Sequence, residues 1–181
     1  MVLAGGGARR FGADKVALRL EGASLLERTV SAVAAADPVV VVGQRRPVAT
    51  PVRWTREDPP GSGPLAAVRA GLVALPSSSD VVAVLAADHP YLSAATIQRL
   101  LRAVEGSGAA GAVLADAGGA LQWLVGVWRV QRLWSAIPDS VENRSLRRTL
   151  GPLEPVPVPA AGAESSDVDT PEDWERLRGD R

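Results

Sequence analysis

A chain of 181 residues with twenty basic and twenty acidic side chains, 46 % apolar residues and no cysteine is the length of one domain, 1–181, and buries about 70 % of its unfolded surface without covalent staples. The missing cysteines exclude disulfide frameworks, thiolate zinc sites and cysteine nucleophiles. The balanced charge gives no footprint for nucleic acid or for a polybasic membrane anchor, and no apolar run approaches the ~18 residues of a membrane span, so a soluble cytoplasmic protein with neither partner is expected.

In chain order, the first feature is the run Leu3-Ala4-Gly5-Gly6-Gly7-Ala8-Arg9-Arg10-Phe11-Gly12-Ala13-Asp14-Lys15. Only Met1 and Val2 precede it, where a full strand would have ~5–6 residues, so the first strand is expected to be short or to begin upstream. Ser24 to Ala36 puts Leu25, Leu26, Thr29, Val30 and Val33 on one helical stripe, with Ser24 and Glu27 spaced as a capping box. Val39 to Val42 is a continuous β-branched run. The turn-rich segment Glu57 to Gly63 leads into a helix over Pro64 to Leu75, opened by proline in its first turn. Val81 to Leu85 is a second apolar run, and Ile97, Leu100, Leu101 and Val104 repeat at helical spacing behind a Ser93 cap. Ala112 to Leu114 is a third run.

Beyond residue 115 the pattern loosens. Gln122 to Trp128 fits a strand, Val130 to Ile137 and Ser145 to Leu150 fit short helices, and the proline-spaced stretch Pro152 to Pro159 fits an edge strand or a linker. Ala160 to Ser166 is low in complexity. A last helix opens at Thr170, with Pro171 at its first position and Glu172 and Asp173 in its first turn. Continuous apolar strands alternating with helices imply right-handed crossovers and a doubly wound α/β layer structure, whose ligands sit at the carboxyl ends of the strands.

Four segments carry candidate chemistry. The glycine run offers successive backbone N–H groups to an anion and adds Arg10 and Lys15. It fails the dinucleotide fingerprint, since Arg10 stands where the third glycine belongs, and it fails the P-loop, since Ala13 and Asp14 separate Gly12 from the lysine. Of the twenty basic residues nineteen are arginine and Lys15 is the only lysine, which fits a compact point charge aimed at phosphate. Asp88 ends a buried strand, is followed by His89-Pro90, and points into the ligand crevice, where a carboxylate suits Mg²⁺. His89, the only histidine, excludes a histidine-rich metal site and is not expected to act as a base. In Asp167-Val168-Asp169 the two acids alternate on extended chain, and either completes a metal site. Glu57 to Ala67 reads as a loop into a helix whose glycines allow close approach to a base or ribose. The tryptophans at 123, 128 and 134 read as core and rim packing. Arg144, Arg147 and Arg148 read as a solvated face or an anion site for a second phosphorylated substrate.

Together these segments resemble the molybdenum cofactor guanylyltransferase family of MobA-like nucleotidyltransferases. The leading signature runs from Leu3 to Lys15. Gly63-Pro64-Leu65-Ala66, Ala87-Asp88-His89-Pro90 and Asp167-Val168-Asp169-Thr170-Pro171-Glu172-Asp173 follow in the family's order. The resemblance implies a Rossmann-like three-layer α/β/α fold with a mostly parallel central sheet, of the nucleotide-diphospho-sugar transferase type. It also implies that Leu3, Ala4, Gly5 and Gly6 hold the base and ribose and that Lys15 and Arg10 hold the triphosphate. Asp58 would take the nucleoside end, Asp88 the nucleotide and Mg²⁺, and Asp169 the same ion. Gly5-Gly6, in place of the Ala-Gly of related cytidylyltransferases, favours GTP over CTP.

The expected reaction is GMP transfer from GTP to the terminal phosphate of a molybdopterin-type acceptor, with release of pyrophosphate. Arg10, Lys15 and Asp88 are its catalytic residues. The alternatives are a cytidylyltransferase or sugar-phosphate nucleotidyltransferase on the same fold and, in a different class, a nucleotide-binding regulatory module without turnover.

Overall fold

The computed structural model describes residues 1–5 and 14–179. Among them, seven strands form one sheet in the order β5-β4-β1-β6-β8-β7-β9. In chain order these are β1 (Val2–Leu3), β4 (Val40–Val42), β5 (Arg53–Thr55), β6 (Val81–Ala86), β7 (Gly111–Ala115), β8 (Leu121–Arg129) and β9 (Val156–Pro159), and a separate hairpin pairs β2 (Arg19–Leu20) with β3 (Ala23–Ser24). Every neighbouring pair in the large sheet is parallel except those of β8, which runs antiparallel to both β6 and β7. The sheet is therefore mostly parallel, as expected.

The helices α1 (Leu25–Ala32), α2 (Pro64–Val73), α3 (Ala94–Ser107), α4 (Val130–Ala136), α5 (Leu146–Leu150) and α6 (Pro171–Gly179) lie near the positions their periodicity indicates. Their boundaries follow local chemistry. Ser24 Oγ accepts from the Glu27 N–H at 3.1 Å while Glu27 returns a carboxylate to the Ser24 N–H at 2.7 Å, a complete capping box. Ser93 and Thr96 close the start of α3 in the same way, and Gly108 ends it in the left-handed conformation. Thr170 Oγ1 accepts from the Asp173 N–H at 3.1 Å, and the Asp173 carboxylate takes the Thr170 N–H at 2.8 Å.

Alternation along the strands divides the core between the two faces of the sheet. Val2, Val41, Leu85, Leu114, Val125 and Val127 pack with Leu26 and Val30 of α1 and Leu100 and Val104 of α3. Leu3, Val40, Val42, Val84, Val113 and Trp128 pack with Val68 and Leu72 of α2, Leu133 of α4 and Leu150 of α5. Helices on both faces give the three-layer α/β/α arrangement. A third cluster joins Leu20 and Leu25 to Val168 and Leu177, and so ties the carboxy-terminal segment to the hairpin. No described helix is long and apolar enough to cross a membrane.

Three features depart from the sequence reading or are absent from it. The direction of β8 is reversed, because apolar alternation reports which face is buried and carries no information about strand polarity. β5 and the β2–β3 hairpin are too short to give a periodic signal. Pro152 to Pro159 resolves into a 3₁₀ turn (Gly151–Leu153) followed by β9, an edge strand paired only with β7, where proline's missing donor costs least.

Candidate functional site

The site forms where β1 and β6 end side by side. Leu3 pairs with Ala86 and with Val42, so three parallel strands deliver their carboxyl ends to one edge of the sheet. Leu3 and Ala4 are buried there, with the Ala4 N–H on the Val42 carbonyl at 2.8 Å, and Gly5 emerges exposed. Gly43 leaves β4 at φ +148°, and a Cβ there would stand 2.8 Å from the Ala4 carbonyl oxygen. Only glycine lets the two strand exits approach so closely.

Lys15 opens a 3₁₀ turn (Lys15–Ala17), and its side chain is only 6 % exposed. Its Nζ donates to Asp88 Oδ2 at 2.8 Å and to Asp169 Oδ1 at 2.9 Å. Burial by itself would lower the lysine's pKa, but the adjacent Asp88 and Asp169 outweigh it and hold the ammonium above its ordinary range. Asp88 sits just past β6. Burial would raise its carboxyl, yet the hydrogen bond and charge of His89, and then Lys15, bring it down to about 2. His89 Nδ1 lies 2.9 Å from Asp88 Oδ1, so both carboxylate oxygens are engaged.

The carboxy-terminal acids reach this point through one backbone bond and one apolar anchor. The Val168 N–H donates to the Asp88 carbonyl at 3.1 Å, and the Val168 side chain is fully buried in the third cluster. With Val168 turned inward, the extended alternation leaves Asp167 and Asp169 on the cavity side. Loss of solvent around Asp167, together with Asp169, pushes its carboxyl above the usual value.

These groups line a cavity of about 530 Å³, whose wall includes Gly5, Lys15, Asp88, His89, Asp167 and Asp169, with Leu121 to Leu124 of β8 and Leu146 of α5 closing the apolar side. Among the described residues, one ammonium shared by two carboxylates, with a third beside them, leaves an excess of negative charge that a divalent cation would neutralise. Hard oxygen donors at the end of a phosphate-sized cleft fit Mg²⁺, which takes one or two carboxylates and completes its shell with substrate phosphates and water. No cluster of three or more histidine, cysteine, aspartate or glutamate side chains suited to hold a metal alone occurs among the described residues.

Of the residues singled out from the sequence, the structure brings Gly5, Lys15, Asp88 and Asp169 to one cavity, with Leu3 and Ala4 behind Gly5. Gly6 and Arg10 lie outside the described residues. Asp58 is exposed and is not part of this cavity's wall. The neighbouring acid turns inward. Glu57 Oε1 accepts from the Gly61 N–H at 3.0 Å and would sit 3.8 Å from a Cβ on Gly5, and Glu57 Oε2 is buried. Trp123 packs against the core and also lines the cavity, while Trp128 is fully buried against Gly111 and Trp134 is 47 % exposed.

Sequence reading missed Arg46. Its guanidinium grips both oxygens of Asp14, at 2.6 and 2.9 Å, and also donates to the Gln44 carbonyl at 2.8 Å, fixing the residue before Lys15 to the exit of β4. No local motif signals a pair separated by 32 positions.

The described residues thus place the signature's lysine, the acid after β6 and the carboxy-terminal aspartate in one cleft. The family model for the MobA-like NTP transferase domain matches residues 1–156. The chain belongs to that family. A protein of Opitutus terrae named "Probable molybdenum cofactor guanylyltransferase" is 42 % identical over 114 residues, which is 60 % of this chain and 56 % of that protein. The chain therefore aligns with only about half the length of that relative. The "Molybdenum cofactor guanylyltransferase" of Rhodobacter capsulatus is 27 % identical over 186 residues, covering 97 % of this chain and 92 % of its own. In fold the chain is similar to the crystal structure of molybdopterin-guanine dinucleotide biosynthesis protein A from Archaeoglobus fulgidus. The TM-score is 0.74 at 20 % identity, over 97 % of this chain and 94 % of that one.

Proposed function

We propose that this family member, as one unit spanning the whole chain, transfers GMP from GTP to the terminal phosphate of a molybdopterin-type acceptor in the cytoplasm, releasing pyrophosphate. The observation that carries this reading is the convergence of Lys15, Asp88 and Asp169 within 2.9 Å of one nitrogen, in a cavity at the carboxyl ends of β1 and β6. The names of the relatives support the choice of nucleotide and acceptor.

In the transfer, an oxygen of the acceptor phosphate attacks the α-phosphorus of GTP in line. A new P–O–P bond forms and the bond from the α-phosphorus to the bridging oxygen breaks, so that the electron pair leaves with pyrophosphate. A phosphate monoester, with its second pKa near 6, is already largely ionised at neutral pH, so the reaction needs no protein base. Catalysis then reduces to positioning and charge neutralisation. Gly5 and its neighbours let the nucleotide approach the backbone. Lys15 turns from the two carboxylates to the phosphates, and Arg10 adds charge to the same tail. Asp88 and Asp169 would hold Mg²⁺, whose contribution is charge stabilisation on the phosphoryl oxygens.

A charge pair 4 Å apart in an effective dielectric of 20 is worth roughly 4 kcal/mol before desolvation, equivalent to a few powers of ten in rate. The test is to incubate the protein with GTP or CTP, Mg²⁺ and molybdopterin-type or sugar-phosphate acceptors, and to identify the product by mass. A guanylylated pterin with stoichiometric pyrophosphate supports the proposal, and a cytidylylated or sugar product moves the chain to a different acceptor class. Nucleotide binding without pyrophosphate release would make it a regulatory module.

A further inference from the structure

We infer that His89 is a positioning residue that locks the orientation of the Asp88 carboxylate, so that Oδ2 stays directed toward Asp169 when Lys15 leaves. The inference rests on the proposed nucleotide and metal site. The side chain of His89 is 6 % exposed and lies on the wall of the cavity. Its Nδ1 meets Asp88 Oδ1 at 2.9 Å, on the opposite side of the carboxylate from the Lys15 contact to Oδ2. The imidazole Nε2 is buried and has no hydrogen-bond partner among the described residues.

The hydrogen bond shows where the ring carries a proton. The carboxylate can only accept, so Nδ1 is the donor. A ring in that state cannot accept a proton through Nδ1, and its Nε2 is sealed from the cavity. It therefore serves as an anchor and takes no part as a base.

The anchor matters because of what Lys15 does. While Lys15 holds both acids, its ammonium alone orients Asp88 Oδ2. Once the ammonium turns to a triphosphate, a free carboxylate would rotate about its Cβ–Cγ bond and present either oxygen in any direction. With Oδ1 held by His89, the carboxylate keeps its plane, and Oδ2 and Asp169 Oδ1 remain a preformed pair for the cation. Outer partners of metal-ligating groups that act in this way are typically worth 10–100-fold in metal affinity.

Two experiments on the full chain test the inference. In the first, the melting temperature is followed with GTP while Mg²⁺ is titrated, and again with EDTA, in the absence of acceptor. Relative to wild type, His89→Gln raises the Mg²⁺ concentration that gives half of the metal-dependent shift about ten-fold. His89→Asn, whose Nδ2 occupies the place of the imidazole Nδ1, stays within about three-fold. Equal Mg²⁺ dependence in all three proteins overturns the inference even if both variants melt lower without ligand, since that result assigns His89 to packing. Equal loss in Asn and Gln variants overturns it as well.

The second experiment uses the fact that His89 is the only histidine. A ¹⁵N imidazole spectrum shows one ring that carries a proton on Nδ1, and a ring bare at Nδ1 contradicts the inference. If wild type gains no metal-dependent stability with any nucleoside triphosphate, the site reading fails together with the inference. Metal-dependent stability unaltered by His89→Gln overturns the inference alone.

Discussion

Two ionic clusters in this molecule use the same kinds of side chain to opposite ends. Beside the first turn of α3, Glu164 is 7 % exposed and accepts from four donors: Thr96 Oγ1 at 2.6 Å, Arg99 at 3.0 and 2.5 Å, and the Ala161 N–H at 2.8 Å. Burial would raise its carboxyl, but Arg99, then Thr96 and the backbone, bring it down to about 2. Every lone-pair direction is used and charge is balanced within the cluster. In the cleft, one ammonium serves Asp88 and Asp169, Asp167 stands beside them, and a cavity opens onto all of them. A saturated cluster fixes a segment in place, whereas a cluster short of positive charge has capacity for a ligand. Chain order links the two, since Glu164 pins the loop that leads directly into Asp167 and Asp169.

Mutations separate the two roles. Glu164→Gln gives the largest loss of stability, about 3 kcal/mol at neutral pH, since it strands Arg99 and removes a carboxylate held well below its ordinary 4.5. The sign follows from linkage: a depressed folded value stabilises above about pH 4.5, and the gain disappears as pH falls toward 2. Denaturant unfolding at pH 7 and pH 3 should therefore show the gap between wild type and variant narrowing at the lower pH. Asp169→Asn has the reverse profile. Its side chain is 56 % exposed, so stability changes by less than about 1 kcal/mol. The Mg²⁺ needed for half-maximal pyrophosphate release rises at least about ten-fold, the lower end of what loss of a ligand's outer partner costs. Arg46→Ala is the mildest, raising KM for the nucleotide about three-fold through a freer Asp14 and Lys15, with under about 1 kcal/mol lost, as expected of a partly exposed pair. A steady-state comparison with melting curves checks it.

Much of this arrangement is legible in the sequence because it rests on local chemistry. The caps at Ser24, Ser93 and Thr170, the acid just beyond an apolar strand at Asp88, and the solitary lysine each depend on neighbours a few residues away or on a count. What was not legible depends on distant partners. Asp58 and Glu57 are adjacent acids in one loop, and the Glu57 contact with the Gly61 N–H turns that one inward while Asp58 stays in solvent. From the sequence His89 is read only as no base, because its contact depends on which oxygen of Asp88 Lys15 leaves to it. The reversed direction of β8 follows from the connection out of β7, and a buried strand has the same composition in either direction.

Pyrophosphate release by Lys15→Ala, measured with GTP, Mg²⁺ and the acceptor identified by mass, tests the central claim most directly. A turnover at least about a hundred-fold below wild type, in a variant that still unfolds in one cooperative transition, is the predicted result. Release near the wild-type rate by a variant without the ammonium would contradict the assignment of the Lys15 cluster as the site of transfer.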